Sequence, residues 1–228
     1  MIQIFKILIY QRIKMDTLHT LAKGLSTLAY IAQKNAQLSI AELATELKIN
    51  RTSMYKIIAT LQQQGFVRIN ANHQLELASK VIDLYSSYIR LIPAQAQMVL
   101  DDLAKATNMP SALVIAEGQE CVVIKTAFPE NLLFKINYQL GSRHPLGIAA
   151  AGQVLASLQL DVQQDAQLLQ VRQQGYAYSQ NVLQQGATGL YVPIPQRQMT
   201  LGITHLGEMN IQHYLPLLQQ AAQALSGD

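Results

Sequence analysis

The forty residues from Leu38 to Leu77, LSIAELATELKINRTSMYKIIATLQQQGFVRINANHQLEL, admit few folds. Ser39 suits an N-cap, and behind it Ile40, Leu43, Ala44 and Leu47 recur at helical spacing on one face. Lys48-Ile49-Asn50 is long enough only for a turn, and Asn50 is a good N-cap for a second helix. Met54, Ile57, Ile58 and Leu61 supply that helix with a buried face, and Gly65 stops it. Phe66–Ile69 and Gln74–Leu77 then alternate like two strands around an Asn70-Ala71-Asn72-His73 turn. The spacing predicts helix, turn, helix and a two-stranded wing.

In such a unit the second helix can lie in a DNA major groove. Its outward face carries Arg51, Thr52, Ser53, Tyr55, Lys56 and Thr60, side chains that bond phosphates and base edges. Arg51 and Lys56 can read guanine or grip phosphate. Thr52 and Ser53 sit in the first turn, where amides and short hydroxyls meet phosphate. Arg68 and His73 put two further donors on the wing. A solvated helix face would use the same residue types; the wing and the capped second helix favour double-stranded DNA as the partner.

Charge is distributed accordingly. The net +3 of the 228 residues divides unevenly. Residues 1–80 carry ten Lys and Arg against four Asp and Glu, and residues 81–228 carry seven against ten. A basic head on an acidic remainder suits a phosphate-binding domain joined to a second domain. Half of the residues are apolar, enough for a core in each. The single cysteine, Cys121, permits no internal disulfide, which fits a reducing cytoplasm.

Four segments are expected. Residues 1–14, MIQIFKILIYQRIK, read as an upstream extension before a start at Met15, with a helix or strand adding to a dimer surface as the alternative. The apolar run is too short to span a membrane and no small-residue cleavage site follows it. Residues 15–78 form the winged helix-turn-helix head. Its first helix, about 17–34, would pack behind the pair through Leu18, Leu21, Leu25, Leu28 and Ala32. Residues 79–91 form a linker helix, apolar nearly all round through Val81, Ile82, Leu84, Tyr85, Tyr88 and Ile89, which therefore suits subunit contacts.

Residues 92–228 form a second, α+β domain. A helix at 93–106 begins at Pro93. Strands are expected at Ser111–Glu117, Cys121–Thr126, Leu132–Tyr138, Gly189–Ile194 and Thr200–His205, a loop at Gly141–Gly147, and helices at Ile148–Leu158, Val162–Gln174 and 210–225. Strands and helices do not alternate regularly, which favours an antiparallel sheet with helices to one side over a parallel one.

The residues resemble the IclR-type bacterial regulators. RTSMYKIIATLQQQGFVR is similar to that family's recognition helix and wing, GSRHPLGIAAAGQVLASL to its Gly-Ser-Arg-x-Pro-Leu-His stretch, and RQQGYAYSQNVLQQGATGLYVPI to its Arg-x-x-Gly-Tyr-Ala stretch and the strand beyond. The resemblance spans about residues 20–225. It implies an all-α winged helix-turn-helix head, a linker helix and a PAS/GAF-like effector domain with an antiparallel sheet. It further implies a repressor or activator, dimeric or a dimer of dimers, that answers to a small organic-acid or aromatic effector.

The implied pocket comprises Leu146, Ala149, Ala150, Ala151, Gly189, Thr204 and Leu206, with His144 as a further candidate. The family's backbone amides fall at Ala150 and Ala151. Ser179 and Gln180 stand where it has an acidic residue, Leu206 replaces a hydroxyl residue, and Gly147 and Gln153 replace its His and Lys. A less polar pocket follows, suited to an aromatic or medium-chain carboxylate. The rival readings are a ligand-free regulator with a vestigial pocket and a Cys121-dependent hydrolase with a nucleic-acid anchor. Arg143 is expected to hold its loop, and Cys121 to be a buried structural thiol. No metal-ligand spacing, cofactor loop or Ser/His/Asp set appears, so neither catalysis nor a cofactor is expected.

Overall fold

The computed structural model describes residues 18–34, 38–130, 139–159 and 165–226. The expected extension at 1–14 and the expected strand Leu132–Tyr138 lie outside them. The chain divides into two compact units, residues 1–91 and 92–228.

The first unit contains α1 (His19–Gln33), α2 (Ile40–Glu46), α3 (Arg51–Gln63), the strands β1 (Val67–Ile69) and β2 (Leu75–Leu77), and α4 (Lys80–Ile89). Local chemistry sets its boundaries. The Ser39 hydroxyl accepts from the Glu42 amide while the Glu42 carboxylate accepts from the Ser39 amide, a reciprocal cap on α2. Asn50 Oδ1 accepts from the Ser53 amide at 2.8 Å and starts α3. Gly65, at φ +77°, ends it: the Gly65 amide bonds the Gln62 carbonyl and the Phe66 amide the Leu61 carbonyl. In the wing turn Asn70 Oδ1 accepts from the amides of Asn72 and Gln74. Leu43, Met54, Ile58, Val67 and Leu75 build the core with Ile31 of α1.

The expected packing of α1 is wrong in its face. Leu18, Leu21 and Leu25 are exposed, at 73%, 58% and 58%, and Ala32 is exposed too. Thr27 and Ile31 are buried instead, with Leu28 partly so. The two stripes are adjacent on one helix, and the spacing of leucines alone cannot tell which faces the core. The helix α4 buries no residue at all.

The second unit contains α5 (Ala96–Thr107), β3 (Ser111–Glu117), β4 (Glu120–Ala127), β5 (Arg143–Pro145), α6 (Ala149–Ser157), α7 (Ala166–Gln174), β6 (Ala177–Gln180), β7 (Ala187–Pro193), β8 (Met199–Leu206) and α8 (Ile211–Ala224). Six strands form one antiparallel sheet in the order β5-β4-β3-β8-β7-β6. Helices cover both faces, not one. The face with Ala112, Val114, Cys121, Val123 and Tyr191 packs on α6 and α7. The other carries Ser111, whose hydroxyl donates to the Leu100 carbonyl of α5. The buried run from Ser111 to Val114 records this double covering, which an antiparallel sheet with one wet face would lack.

Other boundaries moved. Pro93 stands in a turn ahead of α5, which starts at Ala96. Asp165 caps α7 by accepting from the amides of Gln167 and Leu168, so that helix begins at Ala166; the expected start at Val162 lies outside the described residues. The expected loop 141–147 holds the strand β5, and β6 was not foreseen. Three- and four-residue strands are too short to show a period of two.

Candidate nucleic-acid interface and ligand cavity

The buried face of α3 is Met54, Ile57 and Ile58, fully or nearly withdrawn from solvent. Its opposite side therefore points outward. Arg51, Thr52, Tyr55, Lys56 and Thr60 are exposed there, and Ser53, whose amide is capped by Asn50, is half-buried. Tyr55 is 56% exposed, a large ring on a helix otherwise lined by small and basic side chains. On the wing, Arg68 faces Glu76 across the ladder and donates to it from Nε and Nη2 at 2.9 Å. Asn70 holds the other carboxylate oxygen at 2.9 Å and, ahead of Arg68, keeps that carboxyl below its usual range. Arg68 is thus oriented while its guanidinium stays largely in solvent. His73 sits exposed at the wing tip with φ +59°.

In the second unit a cavity of about 240 Å³ opens between the start of α6, β7, β8 and the segment joining β6 to β7. Of the residues expected there, His144, Ala149, Ala150, Ala151, Gly189 and Thr204 line it. Leu146 and Leu206 do not. Leu146 follows β5 and packs into the core beneath α6, and Leu206 ends β8 opposite Ala187, half-exposed. Ser179, named from the resemblance as standing at the acidic pocket position, also lines it, and residues not foreseen complete the wall: Val182, Leu183, Gln184, Ala187, Thr188 and Tyr191. Strand alternation could have found Tyr191, two residues from Gly189. Val182 and Leu183, about half exposed, belong to a connection without a period.

The geometry at the helix start is specific. The Gly147 amide donates to the Gly152 carbonyl at 3.1 Å, and a Cβ on Gly152 would stand 3.1 Å from Gly147 N and 3.2 Å from Pro145 O. Glycine thus lets the 145–147 segment lie against the helix. Ala149 is held at φ +57°, a conformation that costs a non-glycine residue roughly 1–3 kcal/mol and tends to occur at ligand sites. The Ala150 amide donates to Ser179 Oγ at 2.9 Å, which ties β6 to the start of the helix. Tyr191 OH and Thr204 Oγ1 lie 3.3 Å apart, and the Tyr191 ring lies where Gly202 has no side chain.

His144 and Cys121 are partners in the β4–β5 ladder, so their side chains share a face. The proximity that a thiol hydrolase needs is present, but the ionisation is not. Burial pushes the Cys121 thiol up to about 11 and lowers the His144 imidazole below its ordinary range. Arg143 holds β5 by ion pairs to Glu117 at 2.8 Å and Glu120 at 3.1 Å, on the solvent side and away from the cavity. Among the described residues no group of three or more His, Cys, Asp or Glu could hold a metal ion, and no helix is long and apolar enough to cross a membrane.

Residues 20–70 match the model of the IclR helix-turn-helix domain. The Pca operon regulatory protein of Acinetobacter baylyi is 24% identical over 92% of this chain and 88% of its own length. The chain thus carries an IclR-type helix-turn-helix domain and is similar to IclR-type transcriptional regulators. The Escherichia coli repressor IclR is 22% identical to it over 66% of this chain and 56% of its own. Solved IclR structures share the architecture. That of an Alicyclobacillus acidocaldarius regulator has a TM-score of 0.75 at 20% identity, covering 92% of this chain and 98% of that one. An IclR homolog from Microbacterium hydrocarbonoxydans, complexed with 4-hydroxybenzoate, has 0.76 at 12% identity, covering 89% and 97%.

Proposed function

We propose that this chain is an IclR-type regulator that acts in the cytoplasm, reads a palindromic operator with α3 and answers to an aromatic or medium-chain carboxylate bound in the cavity at the start of α6. The observation that carries the DNA reading is the division of α3: Met54, Ile57 and Ile58 inward, Arg51, Thr52, Tyr55 and Lys56 outward. Ser53 joins them through the first turn, and Arg68 and His73 reach the flanking backbone or minor groove. Arg51→Ala costs on the order of 1–3 kcal/mol on operator DNA if the side chain reads a base. Lys56→Ala, as a phosphate contact, weakens all sequences alike and flattens the salt slope by about one unit. Fluorescence anisotropy across a salt series separates the two, and unchanged binding by both variants refutes the assignment.

For the cavity, the supporting observation is its mixed wall. Ala149–Ala151 of the helix start and the hydroxyl residues Ser179, Thr188 and Thr204 line it, the Ala150 amide being bonded to Ser179 Oγ, while Val182, Leu183 and Ala187 offer apolar surface. A ligand with a polar head and an apolar body regains contacts at both ends; a two-carbon oxoacid leaves the apolar part unfilled. The 4-hydroxybenzoate held by the Microbacterium homolog is a molecule of that kind. Calorimetry with benzoate, 4-hydroxybenzoate and glyoxylate tests the preference. Ala150→Leu should fill the site and abolish the response while operator binding persists. Tight glyoxylate binding with no response to the larger acids overturns it, and no binding by any acid favours the ligand-free regulator.

A further inference from the structure

The outward face of the wing is a connected set of polar side chains. In the β1–β2 ladder Val67, Ile69, Leu75 and Leu77 alternate with Arg68 and Glu76, which stand opposite each other on the second face. Val67 and Leu75 are buried in the core of the head, so Arg68 and Glu76 are turned outward. At the tip, Asn70 Oδ1 takes the amides of Asn72 and Gln74, while its Nδ2 donates to Glu76 Oε1 at 2.9 Å. Glu76 Oε2 in turn accepts from Arg68 Nε and Nη2 at 2.9 Å. A chain of bonds thus runs from the turn to the guanidinium, on a side chain that is still 70% exposed.

We infer that Glu76, held by Asn70, is a positioning residue that presents Arg68 to the minor groove of A·T pairs beside the major-groove site of α3. This deepens the DNA reading above and rests on it. The guanidinium carries five N–H groups in one plane. Two are turned to Glu76, and the other three lie on the edge away from it, two of them on Nη1. An arginine held in this way loses less side-chain freedom on binding than one that swings free.

The pairing also selects among acceptors. Arg68 and Glu76 together carry no net charge. The Asn70 bond foremost, and Arg68 with it, outweighs some desolvation and keeps the Glu76 carboxyl below its usual range, so it is ionised at neutral pH. A phosphate against Arg68 would stand beside that carboxylate, and like charges repel. Adenine N3 and thymine O2 are neutral acceptors and meet the outer N–H groups without this penalty. A G·C pair adds the guanine N2 amino group, a donor facing donors. A tract of A·T pairs also narrows the groove around the guanidinium.

The test is fluorescence anisotropy of the full chain on an operator that it selects from random duplexes. Each A·T pair flanking the half-sites is replaced in turn by G·C and by inosine·C. The latter lacks the N2 amino group and so keeps the minor-groove pattern of A·T. At the pairs that the wing meets, wild type should bind the G·C duplex about tenfold more weakly and the inosine duplex nearly unchanged. Glu76→Gln removes a negative charge beside the DNA. It should bind every duplex at least as well, with a salt slope steeper by about one unit, while its discrimination falls to about twofold or less. Arg68→Lys keeps the charge, loses the planar fork and should lose the discrimination too.

Undiminished discrimination in Glu76→Gln overturns the inference. So does a uniform loss of affinity with discrimination kept, which marks Glu76 as a support of the wing fold alone. A wild type indifferent to every flanking pair, or one that rejects inosine as it rejects guanine, also overturns it and leaves the α3 reading standing. No sequence-selective binding to any duplex removes both. Should Glu76→Gln fail to fold, ¹⁵N exchange spectra of the wild-type Arg68 Nε–H decide. Slow exchange with solvent in the free chain supports the held guanidinium, and exchange as fast as in the urea-unfolded chain refutes it.

Discussion

Cys121 and His144 lie twenty-three positions apart and meet only because β5 pairs with β4. Each residue stands out in the sequence; their register does not, because β5 is three residues inside what reads as a loop. The burial of Cys121 in an apolar strand was legible from its neighbours, and its consequence can be measured. With the thiol pushed up to about 11, roughly one molecule in ten thousand carries the thiolate at neutral pH. Iodoacetamide should therefore label the native chain far more slowly than the denatured chain, as followed by mass spectrometry. Rapid native labelling would restore a reactive thiol. At His144 the sign of stability is also fixed. Its imidazole is depressed in the folded state, so the unfolded chain binds the proton first and stability falls as pH drops through the ordinary imidazole range.

Among the elements, those bounded by local chemistry were legible. Ser39, Asn50 and Gly65 each satisfy backbone groups within a few residues, so the limits of α2 and α3 follow from short stretches of sequence. The face of α1 was not legible, because it depends on which of two neighbouring stripes meets residues distant in sequence. Its cost is visible at Thr27, which is fully buried with a hydroxyl that has no hydrogen-bond partner among the described residues. Thr27→Val keeps the shape and removes the unsatisfied group. We expect it to stabilise the first unit by about 1 kcal/mol, seen as a higher midpoint in thermal or urea unfolding. A lower midpoint would mean that the hydroxyl is bonded. The cavity was half legible for a related reason. The helix start announces itself in GIAAAG, whereas Val182 and Leu183 come from the connection after β6, whose path only the assembled sheet determines.

For the whole molecule, the apolar surface left on the first unit is the largest unexplained quantity. Leu18, Leu21 and Leu25 on α1, and Ile82, Leu84 and Tyr85 on α4, are each more than half exposed, and Leu91 is 68% exposed. Scattered exposed leucines are ordinary, but two helices each with a row of them are not. Helices with such faces gain by meeting a second copy, and two heads held together engage the two halves of a palindrome. The second head then binds at a high effective concentration, worth on the order of 100-fold or more in affinity. We therefore expect a homodimer in light scattering at micromolar concentration. Ile82→Asp and Tyr85→Asp each place a charge in that contact without touching α3. Both should shift the chain towards monomer and lower its affinity for the full operator towards that of a half-site, with half-site binding unchanged. A stable wild-type monomer, or variants that dissociate yet keep full-site affinity, would show that the exposed rows serve something other than pairing the heads.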